Sequence, residues 1–304
     1  MIALAPGDAH PELARAIAAL AGATLLPTLV SAFADGESRV RIDADVQDAD
    51  LYIVQPTSTP TNERLMTLAL LAEAARAAGA GRVTAVVPYF GYARQDVRNS
   101  VGEPRSAQLA ARILRCAGVD RIVALELHTP ALESAFEMPL VHLRADELML
   151  PAIRSLGLSG LTVVSPDAGG LKRAQRYAAA LGAPLAAVAK TRPDADAAVA
   201  LQVLGDVRGR DCLVVDDMAS TGGTIARAAQ ALLETGAAQV HALFIHAVMA
   251  PRALERICAA SVRTVTTTDS VPAAPDRRVR VVTIAPLVAQ TLARLAGREI
   301  AERR

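Results

Sequence analysis

Short, nearly continuous apolar runs alternate with Ala-rich stretches along the chain. The runs at residues 51–55 (LYIVQ), 82–87 (RVTAVV), 121–127 (RIVALEL), 161–165 (LTVVS), 212–215 (CLVV) and 239–247 lack polar–apolar alternation. That pattern predicts parallel strands covered on both faces. Residues 63–78, 106–117 and 225–235 predict helices. Each is followed by a glycine (Gly79, Gly118, Gly236) that can take the left-handed backbone of a helix C-terminus. Strand–helix alternation with short connections predicts an α/β fold with a parallel sheet.

The pattern also repeats faintly. Residues 83–94 (VTAVVPYFGYAR) and 161–173 (LTVVSPDAGGLKR) both give an apolar strand, a Pro, a Gly-containing loop and a basic helix start. Each is followed by a strand ending in polar residues, LELHTP in the first half and VVDDMASTGGT in the second. Two similar α/β domains joined near residues 139–150 explain the echo; chance likeness between generic strand–helix units is the competing explanation.

Composition narrows the class without naming a function. The 304 residues are 52% hydrophobic and 21% charged, which excludes disorder driven by charge. With 32 Lys+Arg against 31 Asp+Glu, the net charge of +1 provides no global attraction to nucleic acid or to an anionic membrane. Aromatic residues are 3% and Trp is absent, so the core must be aliphatic. Cys116, Cys212 and Cys258 are widely spaced and form no zinc or CxxC pattern, which fits a reducing cytoplasm. The N-terminus MIALAPGDAH lacks a basic leader, and no apolar run approaches the ~18 residues of a membrane span. A soluble cytoplasmic protein is expected.

The chemistry concentrates in residues 212–228, CLVVDDMASTGGTIARA. An apolar strand leads into Asp216 and Asp217, then into Ser220, Thr221, Gly222, Gly223 and Thr224, which open a helix. Ligands of open α/β sheets collect at the carboxyl ends of strands. The glycines let backbone N–H groups close on an anion at the helix N-terminus. The two carboxylates repel a phosphate and instead suit sugar hydroxyls or a metal. Phosphate and vicinal diol on one loop describe a ribose 5-phosphate site. An N-capped helix after an ordinary turn is the bland alternative, against which stands the cost of uncompensated carboxylates at a buried strand end.

This DDxxSTGGT loop resembles the phosphoribosyl-pyrophosphate loop of phosphoribosyltransferases and ribose-phosphate diphosphokinases. The rest of the chain separates the two. FADGE at 33–37, QPTSTPTNERL at 55–65, VPYFGYARQD at 87–96, EPRSA at 103–107, LELH at 125–128 and SPDAGG at 165–170 form an ordered series. From about residue 5 to about residue 300 that series resembles the ribose-phosphate diphosphokinase (phosphoribosyl pyrophosphate synthetase) family. The resemblance implies two phosphoribosyltransferase-type domains: residues 1–140 on the ATP side and 141–285 binding ribose 5-phosphate, with a helix at 286–304 packing back on the first. It implies attack of the anomeric hydroxyl of ribose 5-phosphate on the β-phosphorus of ATP, giving phosphoribosyl pyrophosphate and AMP with Mg2+.

Site residues follow from the same resemblance. It makes His128 and Asp167 magnesium-site residues; a packed or capping histidine and a plain helix N-cap are the alternative readings. It makes Lys190 and Arg192 part of a flap whose cations stabilise charge built up in pyrophosphoryl transfer; in isolation they would be solvated loop residues. It gives Arg94, Gln95 and Asp96 to the nucleotide, and Phe33, Asp35, Gly36 and Glu37 to an adenine loop; a buried Phe and an Asp-Gly turn compete there. A homo-oligomer, at least a dimer, is implied; activation by inorganic phosphate is left open by the sequence. Departures fall elsewhere: Ser220 stands where the commoner bacterial branch carries Asp, VRNSVGEP after Asp96 is less basic, and the chain stops at GREIAERR. A phosphoribosyltransferase would not need the ATP half. A regulatory paralogue would be expected to have lost Lys190, His128 or the loop acids, and none is lost.

Overall fold

The computed structural model describes residues 2–98, 100–191, 200–272 and 275–297. The chain divides into two units. The first comprises Met1–Arg144, Ser270–Pro272 and Thr283–Arg304, and the second Ala145–Asp269 and Ala273–Val282.

The first unit begins with β1 (Ile2–Pro6), α1 (Pro11–Ala21) and β2 (Thr24–Leu25). A hairpin of β3 (Thr28–Ala32) and β4 (Ser38–Ile42) follows, then β5 (Asp50–Val54), α2 (Thr61–Ala77), β6 (Arg82–Val87) and α3 (Ser106–Cys116). β7 (Arg121–Leu125), a 3₁₀ turn (Pro130–Ala135) and β8 (Leu140–Leu143) complete it. Its six-stranded sheet has the order β2-β1-β5-β6-β7-β8 and is parallel throughout. The expected apolar strands lie at its centre, where Leu51, Ile53, Val83, Ala85, Val87, Ile122 and Ala124 pack against Leu68, Leu71 and Leu114 of α2 and α3. Burying each Leu contributes about 1.5–3 kcal/mol, so this face alone carries a large share of the unit's stability. Phe90 and Phe136 close the core edge-to-face, with ring centroids 5.0 Å apart.

The second unit runs α4 (Asp146–Arg154), β9 (Thr162–Ser165), α5 (Leu171–Leu181), β10 (Leu185–Thr191), β11 (Ala200–Leu204), β12 (Asp211–Met218) and α6 (Gly223–Glu234). It ends with β13 (Gln239–His246), α7 (Ala253–Ala259), β14 (Val262–Thr268) and β15 (Val279–Val282). The sheet order is β11-β10-β9-β12-β13-β14-β15, and only the β10–β11 pair is antiparallel. The chain then returns to the first unit with α8 (Ala285–Leu295), which packs on α1. Sequence-expected boundaries at 140/141 and 285/286 thus fall within β8 and within α8 respectively.

Three glycines behave as their positions required: Gly79, Gly118 and Gly236 have φ of +85°, +93° and +101°. Two strands differ from expectation. The run at 121–127 stops being strand at Leu125, because Glu126 turns to φ +39°. The run at 212–215 continues to Met218, so Asp216 and Asp217 lie inside β12 rather than beyond it. No described helix is long and apolar enough to cross a membrane.

Candidate active site

In the second unit, β12 delivers two carboxylates to its own carboxyl end. Asp217 is 2% exposed, and the Asp216 side chain keeps 15% exposure. Arg173 of α5, itself 8% exposed, places Nη1 3.6 Å from Oδ1 of each. The Arg173 guanidinium thus faces both carboxylates at the end of β12. Burial first, then the neighbouring Asp217 charge, pushes the Asp216 carboxyl up to about 8.

The loop that follows is fixed from behind. Ala219 N–H donates to the His246 carbonyl (3.0 Å), Ala250 N–H to the Ser220 carbonyl (2.9 Å), and Arg256 Nη1 to the Thr221 carbonyl (3.1 Å). Gly222 caps α6 at φ +72°, and a methyl group there would lie 2.6 Å from the Ala253 carbonyl oxygen. Only glycine meets both conditions. Gly223 N–H reaches Thr221 Oγ1 at 3.4 Å, and Thr224 sits in the first turn of α6, so the loop brings hydroxyls and a helix N-terminus together.

Asp167 follows β9. Its Oδ1 accepts from Gly170 N–H (3.0 Å) and its carbonyl from Ser165 Oγ (2.7 Å), so it closes the turn ahead of α5 with one carboxylate oxygen. The N-cap of α5 is Gly170, without a side-chain cap, so Asp167 closes the preceding turn rather than capping the helix. Lys190 belongs to β10 rather than to a loop, in register with Leu201 of the antiparallel β11. Arg192 lies outside the described residues.

In the first unit, Phe33, Asp35, Gly36 and Glu37 form the tip of the β3–β4 hairpin. Phe33 N–H donates to the Glu37 carbonyl (2.8 Å), Glu37 N–H to Asp35 Oδ1 (3.1 Å), and Gly36 has φ +93°. The Asp-Gly turn is thus present. The buried-Phe alternative is not: Phe33 is 51% exposed, with the Arg39 guanidinium 5.7 Å from its ring centroid. At the carboxyl ends of β6 and β7, the 94–96 segment meets the 126–129 turn. Arg94 is exposed, Gln95 Oε1 accepts from Ser106 Oγ (2.5 Å), and Asp96 Oδ2 accepts from Thr129 Oγ1 (2.6 Å). The half-buried His128 adjoins Thr129, so the structure brings Asp96 and the His128 turn together.

Sequence reasoning passed over Arg173, although the basic start of α5 was visible as LKR. It also passed over Arg256, for which spacing carried no signal because α7 is distant in sequence. No cluster of three His, Cys, Asp or Glu among the described residues could hold a metal unaided.

Two helix-flanked parallel-sheet units, the second with acidic residues and a glycine loop after one strand, define a phosphoribosyltransferase-type α/β protein. Residues 2–118 match the N-terminal domain of ribose phosphate pyrophosphokinase, and residues 134–277 match the phosphoribosyl transferase domain. The chain is 42% identical over 298 residues to a ribose-phosphate pyrophosphokinase of Neisseria meningitidis, covering 96% of this chain and 91% of that one. It is 40% identical to one from Gloeobacter violaceus, over 95% and 88% of the two chains. The crystal structure of phosphoribosylpyrophosphate synthetase from Mycobacterium smegmatis superposes with a TM-score of 0.91 at 36% identity, covering 97% of this chain and 99% of that one. The protein belongs to the ribose-phosphate pyrophosphokinase family.

Proposed function

We propose that the protein transfers the β,γ-pyrophosphoryl group of ATP to the anomeric hydroxyl of ribose 5-phosphate, forming phosphoribosyl pyrophosphate and AMP. The observation that carries this reading is the Asp216–Asp217 pair at the carboxyl end of β12, beside a glycine loop at a helix N-terminus. Its carboxylates accept from the sugar hydroxyls, while Ser220, Thr221, Gly222, Gly223 and Thr224 hold the 5-phosphate by N–H and O–H donors. Phe33 stacks on the adenine, with Asp35, Gly36 and Glu37 at its edge, and Arg94, Gln95 and Asp96 take the remainder of the nucleotide.

In the reaction the anomeric oxygen attacks the β-phosphorus and releases its proton. The bond between that phosphorus and the α–β bridging oxygen breaks, and AMP leaves with the oxygen. Lys190 is the main cation for the charge that develops, and Arg192 assists, forking a phosphate. The donor set fits Mg2+: Asp167, Asp216 and Asp217 offer carboxylate oxygens at the ends of β9 and β12, and His128 stands in the turn after β7. Since no described cluster holds a metal unaided, the remaining ligands are phosphate oxygens and water. When bound, the ion supplies neutralisation of phosphate charge.

The three cysteines are free, which fits a cytoplasmic setting. A homo-oligomer completing the nucleotide site belongs to the same reading. The test is product analysis with ATP, ribose 5-phosphate, Mg2+ and phosphate. AMP appearing in step with phosphoribosyl pyrophosphate supports the proposal. ADP would mean single-phosphoryl transfer, and no turnover would favour a non-catalytic regulatory paralogue.

A further inference from the structure

The turn that carries His128 has an unusual support. After Leu125, β7 continues its pairing for one residue, with Glu126 N–H donating to the Leu143 carbonyl (2.9 Å). Glu126 then takes φ +39°, a left-handed conformation that costs a non-glycine residue about 1–2 kcal/mol. The rotation swings the next N–H, that of Leu127, out of line with the backbone of β8. Leu127 is 4% exposed, and a backbone donor there must find an acceptor. It finds a side chain: Leu127 N–H donates to His142 Nε2 at 3.0 Å.

That contact sets the tautomer of His142. A backbone N–H can only donate, so Nε2 is bare and the proton sits on Nδ1. Nδ1 lies 2.6 Å from Glu133 Oε1, which accepts that proton's hydrogen bond. The ring is 10% exposed, and Arg144 Nη2 lies 4.0 Å from the same Glu133 oxygen. Glu133 is carried by the 3₁₀ turn, itself tied back by Leu132 N–H to the Thr129 carbonyl (3.2 Å). On the other side of His128, Thr129 Oγ1 donates to Asp96. His128 is therefore flanked by two anchored residues, one tied to the nucleotide segment and one to an imidazole–carboxylate pair.

We infer that Glu133 and His142 are positioning residues for the ATP side of the site: they fix the backbone of the Glu126–His128 turn and so the placement of His128. The inference rests on the proposed reaction for its consequence, but not for its geometry. The geometry predicts an asymmetric effect, because the clamp touches the nucleotide side alone. His142→Ala is expected to lower kcat/KM for ATP about tenfold, the worth of one well-made hydrogen bond to a constrained group, and to leave KM for ribose 5-phosphate within twofold. Glu133→Ala should produce a similar loss, whereas Glu133→Gln, which still offers an oxygen to Nδ1–H, should retain most of the activity.

The decisive readout does not need turnover. In the parent protein with 15N-labelled histidine, five imidazoles are resolvable in principle, and His142 should show the Nδ1–H tautomer. The Leu127 amide should be protected from exchange, and Glu133→Ala should release it, while the 48% exposed Glu133 side chain makes that variant tolerable to the fold. An Nε2–H tautomer, or Glu133→Ala with unchanged Leu127 exchange and unchanged kcat/KM for ATP, overturns the clamp even if the parent makes AMP. Equal losses toward both substrates reduce the pair to a structural role and overturn the inference. A parent that makes no AMP overturns the catalytic part together with the functional reading, and the tautomer still tells the two failures apart.

Discussion

Replacing Asp216 by Asn should stabilise the free protein and damage the enzyme, and the first effect has a pH signature. In the folded chain burial, then Asp217, lifts the Asp216 carboxyl from 3.8 to about 8. Between those values the native state keeps a proton that the unfolded state has released. The unfolded state binds fewer protons, so stability falls as pH rises through this window and levels off above it. Each pH unit in the window costs about 1.4 kcal/mol, which puts the ceiling for Asp216 near 6 kcal/mol. The side chain keeps 15% exposure and Arg173 is 3.6 Å away. That guanidinium is already part of the shift, but residual water softens the cost further, and half of the ceiling, about 3 kcal/mol, is a working figure.

Asn has nearly the same shape and no charge to bury. At pH 8 to 9 the variant should therefore melt about 6–12 °C above the parent, given about 2–4 °C per kcal/mol for a domain of this size. The gap should shrink steadily toward pH 5. Thermal melts in parallel buffers from pH 5 to 9 measure it. Ribose 5-phosphate should narrow the gap by about 1.4 kcal/mol for each tenfold by which the variant binds it more weakly, since the parent gains the larger linkage stabilisation. Parallel melting curves for parent and variant would refute the reasoning, because they would mean that no buried carboxyl holds a proton across this range.

Other substitutions probe the neighbouring parts. Gly222→Ala places a methyl 2.6 Å from the Ala253 carbonyl at φ +72°; it should cost about 1–3 kcal/mol in denaturant unfolding and raise KM for ribose 5-phosphate. Lys190→Ala should lower kcat by about 100-fold or more if its ammonium meets the transferring group, and a kcat within a few-fold of the parent would remove Lys190 from the mechanism.

Much of the fold was legible because its central strands are covered on both faces. The runs at 51–55 and 82–87 are apolar for that reason and reappear as β5 and β6, apart from terminal residues. The β3–β4 hairpin was not legible. Its residues are half-buried or exposed, so TLVSA and SRVRI give no strong apolar signal, and the register depends on a turn rather than a core. β1 was obscured because its Pro6 and the following Gly7 resemble a loop, although a parallel strand can end in Pro. The left-handed Glu126 was invisible, since LEL reads as uninterrupted strand and nothing local forces the turn. In the site, the acidic pair and the glycine loop were read from residue types. Arg173 and Arg256 beside the β12 loop, and His142 beside the turn after β7, were missed because each comes from a different element of its unit, which only the tertiary structure brings near.

Three departures from local rules fall beside proposed site residues. Glu126 takes a backbone that glycine would take more cheaply, Phe33 is half exposed, and Asp216 and Asp217 bring two acids together at the end of β12. A stable fold alone has simpler solutions at each position. These departures lie in the turn after β7, at a hairpin tip and at the carboxyl end of β12, beside or among the residues proposed to contact substrate. Sites of local inconsistency are where function is expected to override stability. Arg173 illustrates the balance: its guanidinium lies 3.6 Å from both acids, yet burial and the Asp217 charge still push the Asp216 carboxyl up to about 8, so the end of β12 is not arranged for stability alone.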